Sequence, residues 1–142
     1  MPNWCDNRLE IFAENKEGAD QLKRFIEQAA KDVPEQDKSP LHFVNFVPYP
    51  NGEWNYDWCV NNWGTKWDVS EVDLDQDTEY DDHGFVYYFF QTAWAPPVEW
   101  LKKVAKMFPE LRFRLKYEEE GVGFMGVAFG QKTITDNEIS YS

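Results

Sequence analysis

Phe85-Val86-Tyr87-Tyr88-Phe89-Phe90-Gln91-Thr92 is apolar or aromatic at almost every position. Such a run reads as a strand that is central in its sheet and covered on both faces. Downstream, Ala95-Pro96-Pro97 opens a helix, because a proline in the first turn gives up an N–H that has no intrahelical partner anyway. Leu101, Val104, Ala105 and Phe108 form the inward face of that helix; Lys102, Lys103 and Lys106 form its wet face, and Pro109 ends it. Residues 111–117 then alternate, with Leu111, Phe113, Leu115 and Tyr117 inward and Arg112, Arg114 and Lys116 outward. Gly121 turns the chain into a strand over residues 122–129, where Gly123, Gly126 and the following Gly130 permit bending or close approach. The segment from about 133 to 142 shows no such pattern and reads as a loosely held tail.

Upstream, residues 4–12 alternate with period two, the sign of a half-buried strand. Cys5, Asn7, Leu9 and Ile11 point one way; Trp4, Asp6, Arg8 and Glu10 point the other. Asn15 offers an N-cap for a helix running to about Asp32, with Leu22, Phe25, Ile26, Ala29 and Val33 on one face and Pro34 as the stop. Residues 41–47, between Pro40 and Pro48, read as either an edge strand or an extended crossover. Beyond Pro48 the composition changes: Trp54, Tyr56, Trp58 and Trp63 sit among Asn, Asp and Gly, as in an inserted loop with one or two helical turns. Residues 66–74 read as a strand whose alternation shifts near Ser70, as a bulge would make it do, and an acidic turn follows.

The order is therefore β-α-(insert)-β-β-α-β-β, and removing the insert leaves the split βαβ pattern. The expected fold class is α+β: a ferredoxin-like antiparallel sheet with two helices on one face. An extra C-terminal strand and a Trp-rich insert (about 41–64) after the first helix complete one domain over residues 1–142. The second sheet face stays open unless the insert or another chain covers it, so a homodimer through the sheet is one expectation.

Composition narrows the function classes. Aromatic residues make up 18% of the 142-residue chain, so the core is expected to consist of aromatic plates more than of Leu and Ile. Twenty-six acids against 14 bases give a net charge of −12, which opposes unaided binding to nucleic-acid phosphates and favours a basic partner. The two cysteines, Cys5 and Cys59, form no CxxC pair, and no disulfide framework is expected. No basic leader and no apolar run of spanning length is present, so the cytoplasm is the expected compartment and no membrane partner is expected.

The chemistry-bearing motifs are few. Trp54, Trp58, Trp63 and Trp67, with Trp94 and Trp100 elsewhere, either line an aromatic pocket for a base, a sugar or a methylated cation, or roof the open sheet and complete a core. Lys66 beside Asp68 is expected as a paired charge under that layer. Gly64-Thr65-Lys66 lacks the spacing of a phosphate loop and precedes a strand, so that reading fails. Asp73, Asp75, Asp77, Glu79, Asp81 and Asp82, with Glu71, crowd twelve residues that contain no Lys or Arg. An EF-hand counted from Asp73 would place Thr78 and Gly84 where Gly and Glu are required. The run is therefore a solvated turn, a weak cation site, or a carboxylate surface that imitates phosphates toward a basic groove. His42 and His83 lack metal-ligand spacing, no nucleophile elbow occurs, and neither a catalytic residue, a cofactor nor a metal is nominated. Asp6, Arg8 and Glu10 share one strand face and are expected to form a cross-strand ion network. The aromatic central strand invites comparison with RNA-recognition motifs, but the basic signature is missing.

Three stretches give a family resemblance: Met1-Pro2-Asn3-Trp4-Cys5-Asp6-Asn7, Asn62-Trp63-Gly64-Thr65-Lys66-Trp67-Asp68 and Thr92-Ala93-Trp94-Ala95-Pro96-Pro97. Phe108-Pro109 and Tyr117-Glu118-Glu119 accompany them. Jointly they resemble the YubB-type ferredoxin-like domain of plasmid- and phage-encoded proteins across nearly the whole chain. The resemblance implies a ferredoxin-like fold and a mobile-element origin, and it supplies no catalytic residues. The expectation is an acidic accessory protein that binds a basic host protein, with a small-molecule or nucleotide-binding module as the alternative.

Overall fold

Alternation over Trp4–Ala13 builds β1, whose inward Cys5, Leu9 and Ile11 are wholly buried. The computed structural model describes residues 3–69 and 71–141. The other elements are α1 (Lys16–Ala29), a 3₁₀ turn (Phe43–Asn45), α2 (Tyr56–Asn62), β2 (Val72–Asp77), β3 (Gly84–Ala93), α3 (Val98–Met107), β4 (Arg112–Glu119), β5 (Phe124–Gly130) and β6 (Thr135–Ser140). The strands form one sheet in the order β2-β3-β1-β4-β5-β6, every neighbouring pair antiparallel. Its first four strands with α1 and α3 make the ferredoxin-like order, and β5 and β6 extend one edge.

Asn15 caps α1 as its sequence position implies, accepting from the Gly18 N–H at 2.7 Å. The helix ends at Ala29 rather than near Asp32 because its last carbonyls are claimed from elsewhere. Ala29 O accepts from the His42 N–H (3.1 Å) and from Asn45 Nδ2 (3.0 Å), and Lys31 O accepts from the same amide (2.9 Å). Residues 41–47 are neither a strand nor an extended crossover. They fold into the 3₁₀ turn, whose first N–H groups, on Phe43 and Val44, donate to the Asp68 carboxylate at 2.6 and 3.2 Å.

The core lies between the sheet and the helical layer and is aromatic, as composition implies. Phe25 stacks on Phe46 with centroids 4.6 Å apart and meets Phe108 edge-on at 5.2 Å. Phe43 packs against Trp100 at 4.7 Å and Trp63 at 5.6 Å. Both indoles are wholly buried and their N–H groups are satisfied, Trp63 by Val47 O (3.0 Å) and Trp100 by Phe43 O (3.2 Å). Cys5 packs as a small hydrophobe, and burial pushes its thiol up to about 12.

Four expectations about strands change. The strand expected from residue 66 begins only at Val72, and the bulge read at Ser70 lies outside the described residues. The strand runs past Leu74, so Asp75 and Asp77, expected in the turn after it, stand on β2 itself with Asp73. β3 is covered on one face only: Val86, Tyr88 and Phe90 are buried, whereas Phe89 and Gln91 are exposed. The segment expected to be a loose tail forms β6, which pairs with β5 from Phe124↔Ser140 to Phe129↔Thr135. Among the described residues no helix is long and apolar enough to cross a membrane.

Candidate functional site

The insert packs on the helical side and not over the open sheet. Gly64 lies against the start of α3, where an added Cβ would meet Pro96 O at 3.0 Å, and the Trp63 carbonyl accepts from the Trp100 N–H. The outer sheet face is therefore left uncovered. Registers fix how its side chains line up. One row across the strands runs Asp73, Phe89, Arg8, Lys116, Val127, Asn137. The next runs Asp75, Tyr87, Glu10, Arg114, Phe129, Thr135. Read the other way, the face is striped: acidic on β2, aromatic on β3, basic on β4 and apolar on β5.

Glu10 is the electrostatic centre of the face, 1% exposed beneath its partners. Arg8 Nε lies 2.9 Å from one carboxylate oxygen, Arg114 Nε hydrogen-bonds the other, and Lys116 Nζ is 4.0 Å away. Burial alone would raise the carboxyl's pKa; the Arg114 bond and charge, then Arg8 and Lys116, outweigh it and hold the group below the usual range. Arg8 also lies over the Tyr87 and Phe89 rings, 5.2 and 5.5 Å from their centroids. The strand polar cluster is thus a cross-strand ion network, which explains Arg8 and Glu10 without catalysis.

Beside this network the face forms a groove of about 1330 Å³. Phe89, Met125, Val127 and Ile139 supply its apolar surface, and the first, second and last of these are exposed at 38%, 37% and 60%. Four carboxylates, of Asp6, Glu71, Asp73 and Glu118, and three bases, Arg8, Lys38 and Lys116, also line it. Residues 85–92 show no alternation and Ile139 lies in the segment that reads as a tail, so the sequence did not place Phe89 or Ile139 on the outer face. It could not show that Phe89, Met125 and Ile139 share one groove, because that depends on register.

The expected tryptophan cluster is split by the structure. Trp63 is core, and Trp58 touches it edge-on at 5.5 Å because Trp63 occupies the C-cap of α2, off the helical wheel. Trp54 and Trp67 line a separate cavity of about 370 Å³ with His42, Tyr49 and Asp68. Trp94, 47% exposed with φ of 72°, stands apart at the end of β3. Lys66 does not pair with Asp68; its ammonium sits 4.4 Å from the Trp67 centroid. Asp68 instead accepts from the Phe43, Val44 and Val69 N–H groups, and burial pushes its carboxyl up to about 6 against the pull of those bonds.

The acidic run divides too. Asp73, Asp75 and Asp77 face outward opposite Phe89, Tyr87 and Phe85 on an edge strand, where charge discourages pairing with another chain. Glu79, Asp81 and Asp82 lie in the exposed connection to β3, Asp82 against His83 Nδ1 at 2.7 Å. Among the described residues no group of three or more His, Cys, Asp or Glu side chains is placed to hold a metal ion.

No curated protein matches the chain by sequence. The crystal structure of the protein api92 from Yersinia pseudotuberculosis superposes with a TM-score of 0.61 at 11% identity, covering 100% of this chain and 99% of that one. At that identity the likeness concerns the fold, including the sheet and helical layer described above. Residues 53–140, which span α2 through β6, match the family model described as a ferredoxin-like domain in Api92-like protein, and the chain belongs to that family.

Proposed function

We propose that the chain is a non-enzymatic protein-binding module whose open sheet face receives a partner segment carrying apolar side chains flanked by Lys or Arg. The observation behind this reading is the groove itself: exposed Phe89, Met125 and Ile139 beside Asp6, Glu71, Asp73 and Glu118. A second copy is the poorer occupant. Two such chains each carry −12, and that charge opposes bringing their faces together. Nucleic acid is also disfavoured, because Arg8 and Arg114 are already spent on Glu10 and the carboxylates border the remaining bases. The resemblance to YubB-type proteins supports an accessory role for a phage- or plasmid-like element in the cytoplasm of its bacterial host.

The test uses a displayed library of basic amphipathic peptides, titrated by fluorescence anisotropy against the wild type and against Phe89→Ser/Ile139→Ser. Both positions are exposed, so the fold should survive, and circular dichroism checks that it does. The expected result is binding that weakens with salt and falls about tenfold or more in the variant. Variant-independent affinity, a dimer in sedimentation equilibrium that the variant abolishes, or tighter binding to oligothymidylate than to any peptide would each overturn the reading.

A further inference from the structure

β6 is the last strand on its side of the sheet, and its backbone is half paired. The Tyr141 N–H donates to Gly123 O at 2.8 Å, one step beyond the Phe124↔Ser140 pair. Bonding in an antiparallel ladder alternates from residue to residue. Thr135, Asn137 and Ile139 therefore bond β5, and the N–H and C=O groups of Asp136, Glu138 and Ser140 point to the open edge. No strand lies beyond them among the described residues. Every side chain of β6 is exposed, so backbone pairing on one side holds the strand without burial of its own.

The two faces of this edge differ. Asp136 and Glu138 share rows with Leu115 and Tyr117, on the helical side. The Tyr117 hydroxyl donates to Asp136 Oδ1 at 2.6 Å and lies 3.5 Å from Glu138 Oε1. Neither carboxylate is paired with a Lys, Arg or His among the described residues. On the outer side Thr135, Asn137 and Ile139 are uncharged, and Ile139 stands beside Met125 in the apolar wall of the groove. The opposite edge of the sheet is built the other way, since Asp73, Asp75 and Asp77 of β2 occupy the groove side. A strand added there would bring bases, not apolar side chains, to the groove. A second copy fits β6 poorly, because antiparallel pairing of two β6 edges sets Asp136 and Glu138 against the same acids.

We propose that the partner binds by adding an antiparallel strand to β6, with Lys or Arg at alternate positions opposite Asp136 and Glu138 and apolar residues between them beside Ile139. This rests on the protein-binding reading of the open face and states how the segment is held. Backbone bonds supply the attachment, and the alternation of basic and apolar side chains supplies the selection. Residues directly opposite in such a ladder share a face and, at these positions, exchange both backbone bonds. The partner's basic residues therefore give their N–H groups to β6, while the N–H groups of its apolar residues point away. A partner anchored in this way lies beside the groove, with the rest of its surface free to reach Phe89.

The probe is the fluorescein-labelled peptide Lys-Val-Lys-Val-Lys-Val-Lys amide, titrated by anisotropy beside one form N-methylated on its two central lysines and one on two valines. Methylation of the lysine nitrogens removes two bonds to β6 and should weaken binding about tenfold or more; methylation of the valine nitrogens should leave it nearly unchanged. These peptides meet the unaltered protein, so the result does not depend on a variant folding. On the protein, Glu138→Pro and Glu138→Ala both lose the carboxylate, and only the first loses the outward N–H, a place where an edge strand tolerates proline. With circular dichroism confirming both folds, Glu138→Pro should bind about fivefold more weakly than Glu138→Ala. Phe89→Ser should not affect this peptide, because β1, β4, β5 and β6 separate β3 from the new edge. Absence of saturable binding, equal effects of the two N-methylated peptides, or equal affinities of Glu138→Pro and Glu138→Ala would overturn the proposal. So would a dimer in sedimentation equilibrium that Glu138→Pro abolishes. Binding lost with Phe89→Ser and indifferent to N-methylation would refute strand addition and keep the groove reading, so the two fail separately.

Discussion

Replacing Asp68 by Asn should change how stability depends on pH, and the size of the change follows from the structure. The carboxyl's ordinary value is 3.8, and in the fold burial pushes it to about 6. A folded value above the unfolded one means that the native state favours the protonated form. The associated stability is then fully present below the unfolded pKa and is lost as pH rises through the folded one. A difference of about two pH units corresponds to about 3 kcal/mol once ionisation is complete. Between about pH 4.5 and about pH 7.5 roughly two-thirds of that is lost, and water at the cavity mouth reduces it to about 1–2 kcal/mol. Asn keeps an Oδ1 for the Phe43 and Val69 N–H groups, but its amide nitrogen would oppose the Val44 N–H, so the variant loses one hydrogen bond at every pH. Subtracting the variant's stability from the wild type's cancels other titrating groups to first order. Urea unfolding at the two pH values should show that difference shrinking by about 1–2 kcal/mol toward neutrality. A difference that is flat, or that grows toward neutrality, would refute the claim that Asp68 ionises against its surroundings.

Glu10→Gln should cost about 1–2 kcal/mol in chemical denaturation, because it leaves Arg8 and Arg114 facing each other while both stay nearly half exposed to water. Glu10's folded pKa lies below its ordinary value, so its stabilisation is present above that ordinary value and disappears only as pH falls through the folded one; a wild-type advantage that persists in stronger acid would contradict this. Gly126→Ala would drive a Cβ onto the Tyr117 hydroxyl and to 2.6 Å from the Asn137 carbonyl oxygen; a loss of about 1–3 kcal/mol and a lower melting temperature are expected, and an unchanged melting curve would show that β5 and β6 can part at no cost. Trp94→Gly removes a bulky side chain from a positive φ and should leave stability unchanged or raise it by up to ~1 kcal/mol, whereas a clear loss would mean the exposed indole packs on something essential.

What the sequence disclosed was whatever has a local period. Residues 4–12 and 111–117 alternate, and the inward set in each is buried; the outward Glu10 is buried as well, beneath its basic partners. The faces of α1 and α3 follow from their three- and four-residue spacing, with Phe25, Leu101 and Val104 inside. Features imposed from a distance stayed hidden. The 3₁₀ turn at Phe43–Asn45 depends on a carboxylate 25 residues further along. β6 has no apolar alternation because every one of its residues is exposed, and its place is set by backbone pairing with β5. The candidate sites divide in the same way. Tryptophan abundance pointed to an aromatic pocket, but Trp63 went to the core, and His42 and Tyr49 took part in a cavity that no spacing announces. The sheet groove needed the register from β3 through β1 and β4 to β5 before Phe89 and Met125 could be placed on its two sides.

The central position of β1 also governs the order in which the chain can fold as it is made. Its neighbours on both sides are synthesised much later: the Asp6–Gln91 contact spans 85 residues and the Glu10–Arg114 contact spans 104. A strand emerging from the ribosome with Leu9 and Ile11 unshielded must wait for β3 and then β4 before its backbone is paired. Loop closures of that length precede any stabilising contact, which slows folding and prolongs exposure of apolar strand to other chains. The acids that dominate this sequence then have a use before the native state exists, since mutual repulsion between nascent chains keeps them apart during that wait.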